Sequence, residues 1–78
     1  MEEIKLTQRR QEILDDILDG LSDEDIARKR FIERTTVKTH LLYLFKKFQV
    51  NSRARLIAKI YKGKIDRIKQ IINERLVG

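Results

Sequence analysis

The 78-residue sequence contains no cysteine and no long apolar run, and each absence excludes a class of protein. Without cysteine there is no disulfide framework, no thiolate metal ligand and no cysteine nucleophile. No apolar run approaches the roughly 18 residues that a transmembrane helix needs. The acidic start, Met1–Lys5, also lacks the apolar core of a signal peptide. The sequence therefore predicts a cytoplasmic protein without membrane contact.

Residues that break helices are also scarce. Proline is absent, and glycine occurs only at positions 20, 63 and 78, which disfavours strands and long loops. Hydrophobic residues make up 41% of the chain, enough for a small helical domain and too many for a disordered tail. We therefore predict an all-α protein whose residues 1–78 form one domain.

Catalytic and metal-binding residue patterns are missing. His40 is the only histidine, and no second histidine, cysteine or acid stands at a ligand spacing from it. The sequence offers no paired acid and base, no glycine-rich phosphate loop and no nucleophile motif. We expect neither an enzyme nor a cofactor-binding protein.

The charges are segregated along the chain. Residues 1–26 carry three basic and nine acidic residues, a balance of −6, whereas residues 27–55 carry nine basic residues and one acidic residue, a balance of +8. Residues 56–78 add six basic and two acidic residues. A segregated distribution creates a directed field, and a positive segment of this kind favours a polyanionic partner.

Apolar spacing predicts two helices in the first 30 residues. Helix one runs from about Thr7, a plausible N-cap, to Asp19, and Gly20 can end it in a left-handed conformation. Helix two starts at Ser22, where a hydroxyl cap is followed by three acids near the positive end of the helix dipole. It continues to about Lys29 or Arg30. Phe31 and Ile32 then form a short connection, and we expect both to anchor it in the core.

Helix three is predicted over Arg34–Phe48 and has two distinct faces. The expected buried face has apolar residues at steps of four, three and four, namely Val37, Leu41, Leu44 and Phe48. Another face carries Lys38, Leu42 and Lys46 at four-residue steps, with Thr35 and Thr39 beside them. Two helices joined by a tight connection can present the second helix to the major groove of DNA.

Helix four is predicted to begin near Ser52. Its apolar side comprises Leu56, Ile57, Ile60 and Tyr61, and the pattern continues to the C-terminus through Ile65, Ile68, Ile72 and Leu76. Gly63 either separates a fifth helix or lies within one long helix at a cost of about 1 kcal/mol relative to alanine. We favour a break or kink at Gly63. The isoleucine stripe either completes the core of the protomer or forms a dimer seam, and we favour the seam.

Individual side chains on and around helix three suggest contacts with DNA. Lysine can donate to guanine O6 and N7, and threonine or leucine can contact a thymine methyl group, which makes Lys38, Thr39 and Leu42 candidates for base contacts. A cluster of basic residues beside the presented helix suggests phosphate contacts from Lys46, Lys47, Arg53 and Arg55. Arg28, Lys29 and Arg30 are weaker candidates.

The sequence resembles the C-terminal DNA-binding domain of LuxR/NarL/GerE-type bacterial transcription regulators over residues 6–61. The strongest match is Thr36–His40, which lies between a Gly20-Leu21-Ser22 start with Ile26-Ala27 and a Ser52-Arg53 end. The resemblance implies a four-helix LuxR-type helix-turn-helix domain, here with an extended or additional C-terminal helix at 62–78. It also implies a stand-alone, GerE-like member or an excised part of a larger regulator.

The resemblance also implies roles for particular residues. Lys38, Thr39 and Leu42 would face base edges, and the positions near the phosphate backbone would be Thr35, Thr36, His40, Lys46 and Arg53. Helix four often mediates homodimerisation in such proteins. We therefore expect a sequence-specific regulator that binds double-stranded DNA as a homodimer, with an interface at Leu56, Ile57, Ile60, Tyr61, Ile65 and Ile68.

Four positions depart from the family pattern. Arg10 replaces a usual glutamate, Glu33 a usual serine that caps helix three, Arg30 a usual leucine and Gln49 a usual glycine. The alternative hypothesis is an adaptor that binds another regulator or RNA polymerase without reading DNA itself. The exposed Lys38 and Thr39 pattern argues against the adaptor, which would not need it.

Overall fold

The computed structural model describes the backbone of residues 5–77 and the side chains of residues 5–75. Four α-helices follow one another in this part of the chain: α1 (Gln8–Leu18), α2 (Asp23–Arg30), α3 (Arg34–Phe48) and α4 (Arg53–Val77). The bounds of α3 are those predicted from its apolar spacing. The all-α fold with an extended C-terminal helix is confirmed, whereas the acidic residues before Lys5 and the predicted stripe member Leu76 lie outside the side chains described.

Side-chain caps fix the starts of the helices. The Thr7 hydroxyl accepts a hydrogen bond from the Arg10 amide at 3.3 Å, as predicted for the first helix. Ser22 and Asp25 form a reciprocal capping box, in which each side chain accepts from the other residue's amide. The Ser52 hydroxyl accepts from the Arg55 amide at 3.1 Å at the start of α4. Each cap satisfies a backbone donor that the helix itself leaves unpaired.

The core is a small cluster to which every helix contributes. Ile13 and Ile17 of α1 meet Ile26 of α2, and the buried face of α3 packs against them with Leu56 of α4. The buried members are Ile13, Leu14, Ile17, Ile26, Ala27, Val37, Leu41, Leu44 and Leu56. Removing this apolar surface from water is the main stabilisation available to a chain of this size.

A buried carboxylate ties α1 to α2. Asp16 is 1% exposed, and its oxygens accept hydrogen bonds from Lys29 Nζ at 2.8 Å and from Arg30 Nε and Nη2 at 2.8 and 2.9 Å. Arg30 also lies 3.6 Å from Glu12. These hydrogen bonds, led by the one from Arg30, hold the pKa of Asp16 below its ordinary value. The carboxylate is therefore charged and paired within the protein.

The expectation that Phe31 anchors the connection in the core is wrong. Its side chain is 95% exposed, whereas Ile32 packs against the core as predicted. Phe31 adopts a left-handed conformation with φ of 55° at the end of α2, and the Ile32 amide donates to the Ala27 carbonyl at 3.0 Å. This turn directs the next residue inward and leaves Phe31 in solvent.

The expected break at Gly63 is also absent, because α4 runs continuously from Arg53 to Val77. A Cβ at Gly63 would meet no atom within 4 Å. Glycine at this position therefore destabilises the helix relative to alanine, and packing does not require it. From Tyr61 to Arg75 every residue is exposed, so the second half of α4 projects from the core.

Two glycine substitutions should have opposite effects. Gly63→Ala should stabilise the projecting half of α4 by about 1 kcal/mol, because alanine loses less entropy in a helix and open space surrounds the site. Gly20→Ala should lower the free energy of unfolding by about 1 kcal/mol, because Gly20 has φ of 88°. Far-UV circular dichroism and urea denaturation measure both. A loss of helix content in Gly63→Ala would contradict the first expectation.

Candidate nucleic-acid interface

The helices α2 and α3 form a helix-turn-helix with a three-residue connection, 31–33. The core fixes α3 through Val37, Leu41 and Leu44, which leaves the opposite side of the helix free. Its sequence contains four basic residues and no acidic residue, namely Arg34, Lys38, Lys46 and Lys47. All four are exposed, so the solvent-facing surface of α3 is positively charged.

A continuous stripe of exposed side chains lies on α3 opposite the core. Thr35, Thr39, Leu42 and Lys46 follow one another at helical steps of four, three and four residues, and all four are exposed. Leu42 is 60% exposed, which makes it unusual among the large apolar residues of α3. Lys38 lies at one edge of this stripe and is also exposed. The structure thus brings the predicted base-contacting residues onto one surface.

One threonine of this surface, Thr39, already forms a hydrogen bond within α3. The Thr39 hydroxyl donates to the Thr35 carbonyl oxygen at 3.0 Å, one turn earlier on the helix. Its methyl group and the lone pairs of its oxygen stay available to a base, whereas its single O–H donor is already used. Thr36, also exposed, lies nearer to the edge that faces α1.

A second basic edge forms where α1 meets α3. The Arg10 guanidinium stacks on the Tyr43 ring, 3.5 Å from its centroid, and Lys47 Nζ lies 5.5 Å from the same centroid. His40 is half-buried beside this cluster. Sequence reasoning missed Arg10 and Tyr43 as a pair, because the contact joins residues far apart in the chain. It also missed Arg34, an exposed base at the first position of α3.

One of the predicted phosphate contacts, Arg53, already has partners within the protein. Arg53 Nη1 donates to the Leu21 carbonyl at 2.8 Å, and its Nη2 pairs with Asp23. Arg53 thereby joins α4 to the loop before α2 and to the first residue of α2. Its contact with a phosphate stays a prediction and would use the part of the guanidinium that is still exposed. Lys46, Lys47 and Arg55 are exposed.

The weaker phosphate candidates of α2 are paired with acids. Lys29 and Arg30 bind Asp16, and Arg28 lies 3.3 Å from Glu24. These ion pairs join α1 to α2 and stabilise the surface of α2. The run of three basic residues therefore has a role within the protein that does not require DNA.

The predicted dimer residues fall into two groups. Leu56 has none of its surface exposed, so including it in the seam was wrong: it belongs to the protomer core. Ile57 and Ile60 are half-buried and pack against that core. Tyr61, Ile65 and Ile68 are 44%, 50% and 56% exposed. The surface available to a partner therefore begins at about Tyr61.

Among residues 5–77, no cluster of three or more histidine or acidic residues is arranged to hold a metal ion. In the same part of the chain, each helix is too short or too polar to cross a bilayer.

The geometry described above agrees with a known family. The family model of bacterial regulatory proteins, luxR family, matches residues 5–60. The chain belongs to the luxR family. Members of this family are DNA-binding transcription regulators and not enzymes.

Relatives of this luxR-family chain match about two thirds of it. The CsgBAC operon transcriptional regulatory protein of Escherichia coli K12 is 47% identical over 53 residues, which are 68% of this chain and 24% of that protein. The Bacillus subtilis transcriptional regulatory protein YhcZ is 41% identical over 49 residues, 63% of this chain and 23% of its own length. The chain thus spans about a quarter of the length of these relatives.

A solved structure shares the fold. The response regulator ChrA, from a heme-sensing two-component system, superposes with a TM-score of 0.71 and 34% identity. The match covers 82% of this chain and 32% of ChrA. It supports the arrangement of the luxR-family helices around α3.

Two departures from the luxR-family pattern have visible partners. Arg30 replaces a leucine and reaches the buried Asp16, so its charge is neutralised inside the α1–α2 contact. Arg10 replaces a glutamate and stacks on Tyr43, although its Nε is buried without a hydrogen-bond partner. The first departure joins two helices, and the second adds positive charge next to α3.

The other two departures concern the ends of α3. Glu33, at the usual serine position, makes no side-chain cap hydrogen bond. Gln49, at the usual glycine position, adopts φ of 55° and still ends the helix, while the Val50 amide donates to the Phe45 carbonyl at 2.9 Å. A residue other than glycine in this conformation is strained.

His40 should make stability depend on pH. Its burial, and then the charges of Arg10 and Arg9, lower the pKa of His40 below the ordinary value of about 6.5. The unfolded chain therefore binds a proton first as pH falls. The free energy of unfolding should decline from about pH 6.5 down to the folded-state pKa.

Urea denaturation of the wild type and His40→Gln at a series of pH values tests this expectation. The glutamine variant should lose the slope just below about pH 6.5 and keep the steeper acid loss below about pH 4, where carboxylates titrate. Identical slopes in both proteins would assign the decline to other groups.

Proposed function

We propose that this chain reads a specific sequence of duplex DNA by placing α3 in the major groove. The observation that carries the proposal is the exposed stripe Thr35, Thr39, Leu42 and Lys46, with Lys38 at its edge, on a helix that carries four basic residues and no acid. A second helix of a helix-turn-helix that enters the groove needs donors, a methyl-contacting group and positive charge on one face.

Base readout and phosphate contact are assigned to different residues. Lys38, Thr39 and Leu42 would contact base edges, with Leu42 against a thymine methyl group. Thr35, Thr36, Lys46 and Lys47 would lie along the backbone, together with His40 and the free edge of Arg53. We add Arg34 and Arg10 to the phosphate-facing group, because both extend the positive surface of α3.

We further propose that two copies bind a two-fold related site. Residues 6–61 would form the DNA-binding core, and residues 62–78 the helical extension. The exposed apolar residues Tyr61, Ile65 and Ile68 would form the seam between copies. Half-sites would then lie about one helical turn, roughly 34 Å, apart. Such a regulator would act at the chromosome, in the cytoplasm of the cell.

The adaptor hypothesis has one observation in its favour. The apolar residues of α4 beyond Tyr61 face solvent and can hold another regulator or a polymerase subunit. An adaptor of this kind would bind its partner stably and show no DNA binding at physiological salt. The exposed stripe of α3, together with the four basic residues of that helix, favours DNA readout as the primary function.

Selection from a randomised duplex library at about 150 mM salt tests these proposals, because loose phosphate binding weakens at that ionic strength. We expect an inverted repeat to be enriched. Enrichment of a single half-site would keep the DNA readout and remove the homodimer. No enrichment would overturn DNA readout and favour the adaptor.

A further inference from the structure

The projecting half of α4 carries an apolar stripe, which we call the α4 stripe: Tyr61, Ile65, Ile68 and Ile72, with the 46% exposed Ile71 beside it. Its members follow at steps of four, three and four residues, the spacing of a coiled-coil seam. They are 44%, 50%, 56% and 50% exposed. The stripe lies beyond residue 60, where the luxR-family match ends. Within the described protomer, the Tyr61 hydroxyl donates a hydrogen bond to the Leu18 carbonyl of α1 at 3.2 Å, whereas Ile65, Ile68 and Ile72 lie beyond that contact and are exposed.

Lysines stand on both sides of the α4 stripe. In the heptad numbering set by the stripe, Lys62 and Lys69 occupy one flanking position, and Lys64 and Ile71 occupy the other. Lys64 Nζ lies 5.7 Å from the centroid of the Tyr61 ring, which holds its charge next to the stripe. The two acids of this region, Asp66 and Glu74, lie at heptad positions away from the seam. Both described flanks therefore carry positive charge and no negative charge.

A second copy of the chain is a poor electrostatic match for these flanks. In a parallel pair, Lys64 of one copy would face Lys69 of the other. In an antiparallel pair, each flank would face its own counterpart, again with lysine opposite lysine or an apolar residue. Like charges at these positions weaken a helix pair, whereas opposite charges strengthen it and set partner choice.

We propose that the α4 stripe binds an amphipathic helix of a different protein, one with an apolar seam flanked by glutamate or aspartate. This inference concerns the surface assigned above to the homodimer, so the acidic helix would compete with a second copy for it. The lysines at the positions beside the seam are those that select a partner helix, and a lipid surface is the other occupant that the test distinguishes.

Two synthetic peptides of about three heptads provide the test. Both carry isoleucine and leucine in the seam, and one carries glutamate at the flanking positions where the other carries lysine. Fluorescence anisotropy with the full chain should show the acidic peptide binding about tenfold tighter, or more, at about 50 mM salt. The difference should shrink at about 500 mM salt, where exposed charges are screened.

Two variants separate charge from apolar contact. The triple variant Lys62→Glu, Lys64→Glu, Lys69→Glu should reverse the preference, so that the lysine peptide binds more tightly. Ile68→Asn should weaken both peptides, and because Ile68 is exposed the core remains intact. If the triple variant still bound the acidic peptide more tightly, the lysines could not be the cause of the preference for that peptide.

Three results would overturn the proposal: equal binding of the two peptides, a chain that remains a dimer in sedimentation despite excess acidic peptide, or binding to anionic lipid vesicles with neither peptide bound. The selection from the duplex library measures DNA readout by α3 without involving these peptides. Loss of DNA readout with retained peptide preference would therefore overturn the proposed function alone.

Discussion

Replacing Asp16 with alanine should lower the free energy of unfolding by about 3 kcal/mol. The substitution removes a carboxylate that is 1% exposed and accepts three hydrogen bonds from Lys29 and Arg30. The cost falls at the lower end of the range for breaking a buried pair, because half of Lys29 is exposed and its ammonium can find water. Urea denaturation measures the loss.

Asp15→Ala is the matched control for this prediction. Asp15 is the preceding residue of the same helix, it is exposed, and its side chain accepts from Gln11 Nε2 at 3.0 Å within α1. It should change stability by less than about 0.5 kcal/mol. Similar losses in both variants would show that the buried network adds nothing beyond an ordinary surface acid.

The pH dependence of Asp16→Asn isolates the charge. The hydrogen bonds from Arg30 and Lys29 keep the folded-state pKa of Asp16 below its ordinary value of about 3.9. Its stabilisation is therefore complete above about pH 4 and is lost as pH falls through the folded-state pKa. The asparagine variant should show a smaller acid loss than the wild type.

Replacing Lys38 with alanine should weaken binding to the best selected site by about 1–3 kcal/mol while leaving the fold intact. Lys38 is exposed at the edge of the presented stripe and makes no hydrogen bond or ion pair among the described residues. Because the substitution would remove the donor that we propose for a base edge, it should also relax sequence preference at one position of the site. Titration of the selected duplex and of single-base variants measures both effects.

Two other substitutions calibrate the Lys38 result. Lys47→Ala should weaken binding to all duplexes by a similar factor, as expected of a contact with the phosphate backbone. It should also lower the slope of log K against log salt concentration by about one. Arg67→Ala removes the same unit of charge from the projecting part of α4 and should leave affinity nearly unchanged. Equal losses of DNA affinity in Lys38→Ala and Arg67→Ala would show that Lys38 acts only through the net charge of the protein.

Features encoded by neighbouring residues were predictable from the sequence. The bounds of α3 followed from the spacing of Val37, Leu41 and Leu44, and the helix starts followed from Thr7 and Ser22. These signals act over one or two turns, where helical geometry alone decides which side chains share a face. The exposed stripe of α3 was predictable for the same reason.

The errors concern features that tertiary structure decides. Residue type suggested that Phe31 would be buried, but the left-handed turn after α2 places it in solvent. The apolar side of α4 was assigned as one surface, whereas packing on α3 buries Leu56 and leaves Ile65 exposed. The pairing of Asp16 with Arg30, 14 residues apart, depends on how α1 crosses α2. Local spacing contains none of this information.

The projection of α4 beyond the core divides the helix into two thermodynamic parts. Leu56 is buried in the core, and the Tyr61 hydroxyl still donates to the Leu18 carbonyl of α1. Beyond Tyr61 every described side chain is exposed, so those turns are held by their own backbone hydrogen bonds. Amide hydrogens in such turns open to solvent without unfolding the whole domain. Exchange with deuterated water should therefore quicken along α4 toward Val77, and a bound partner would slow it in that half alone.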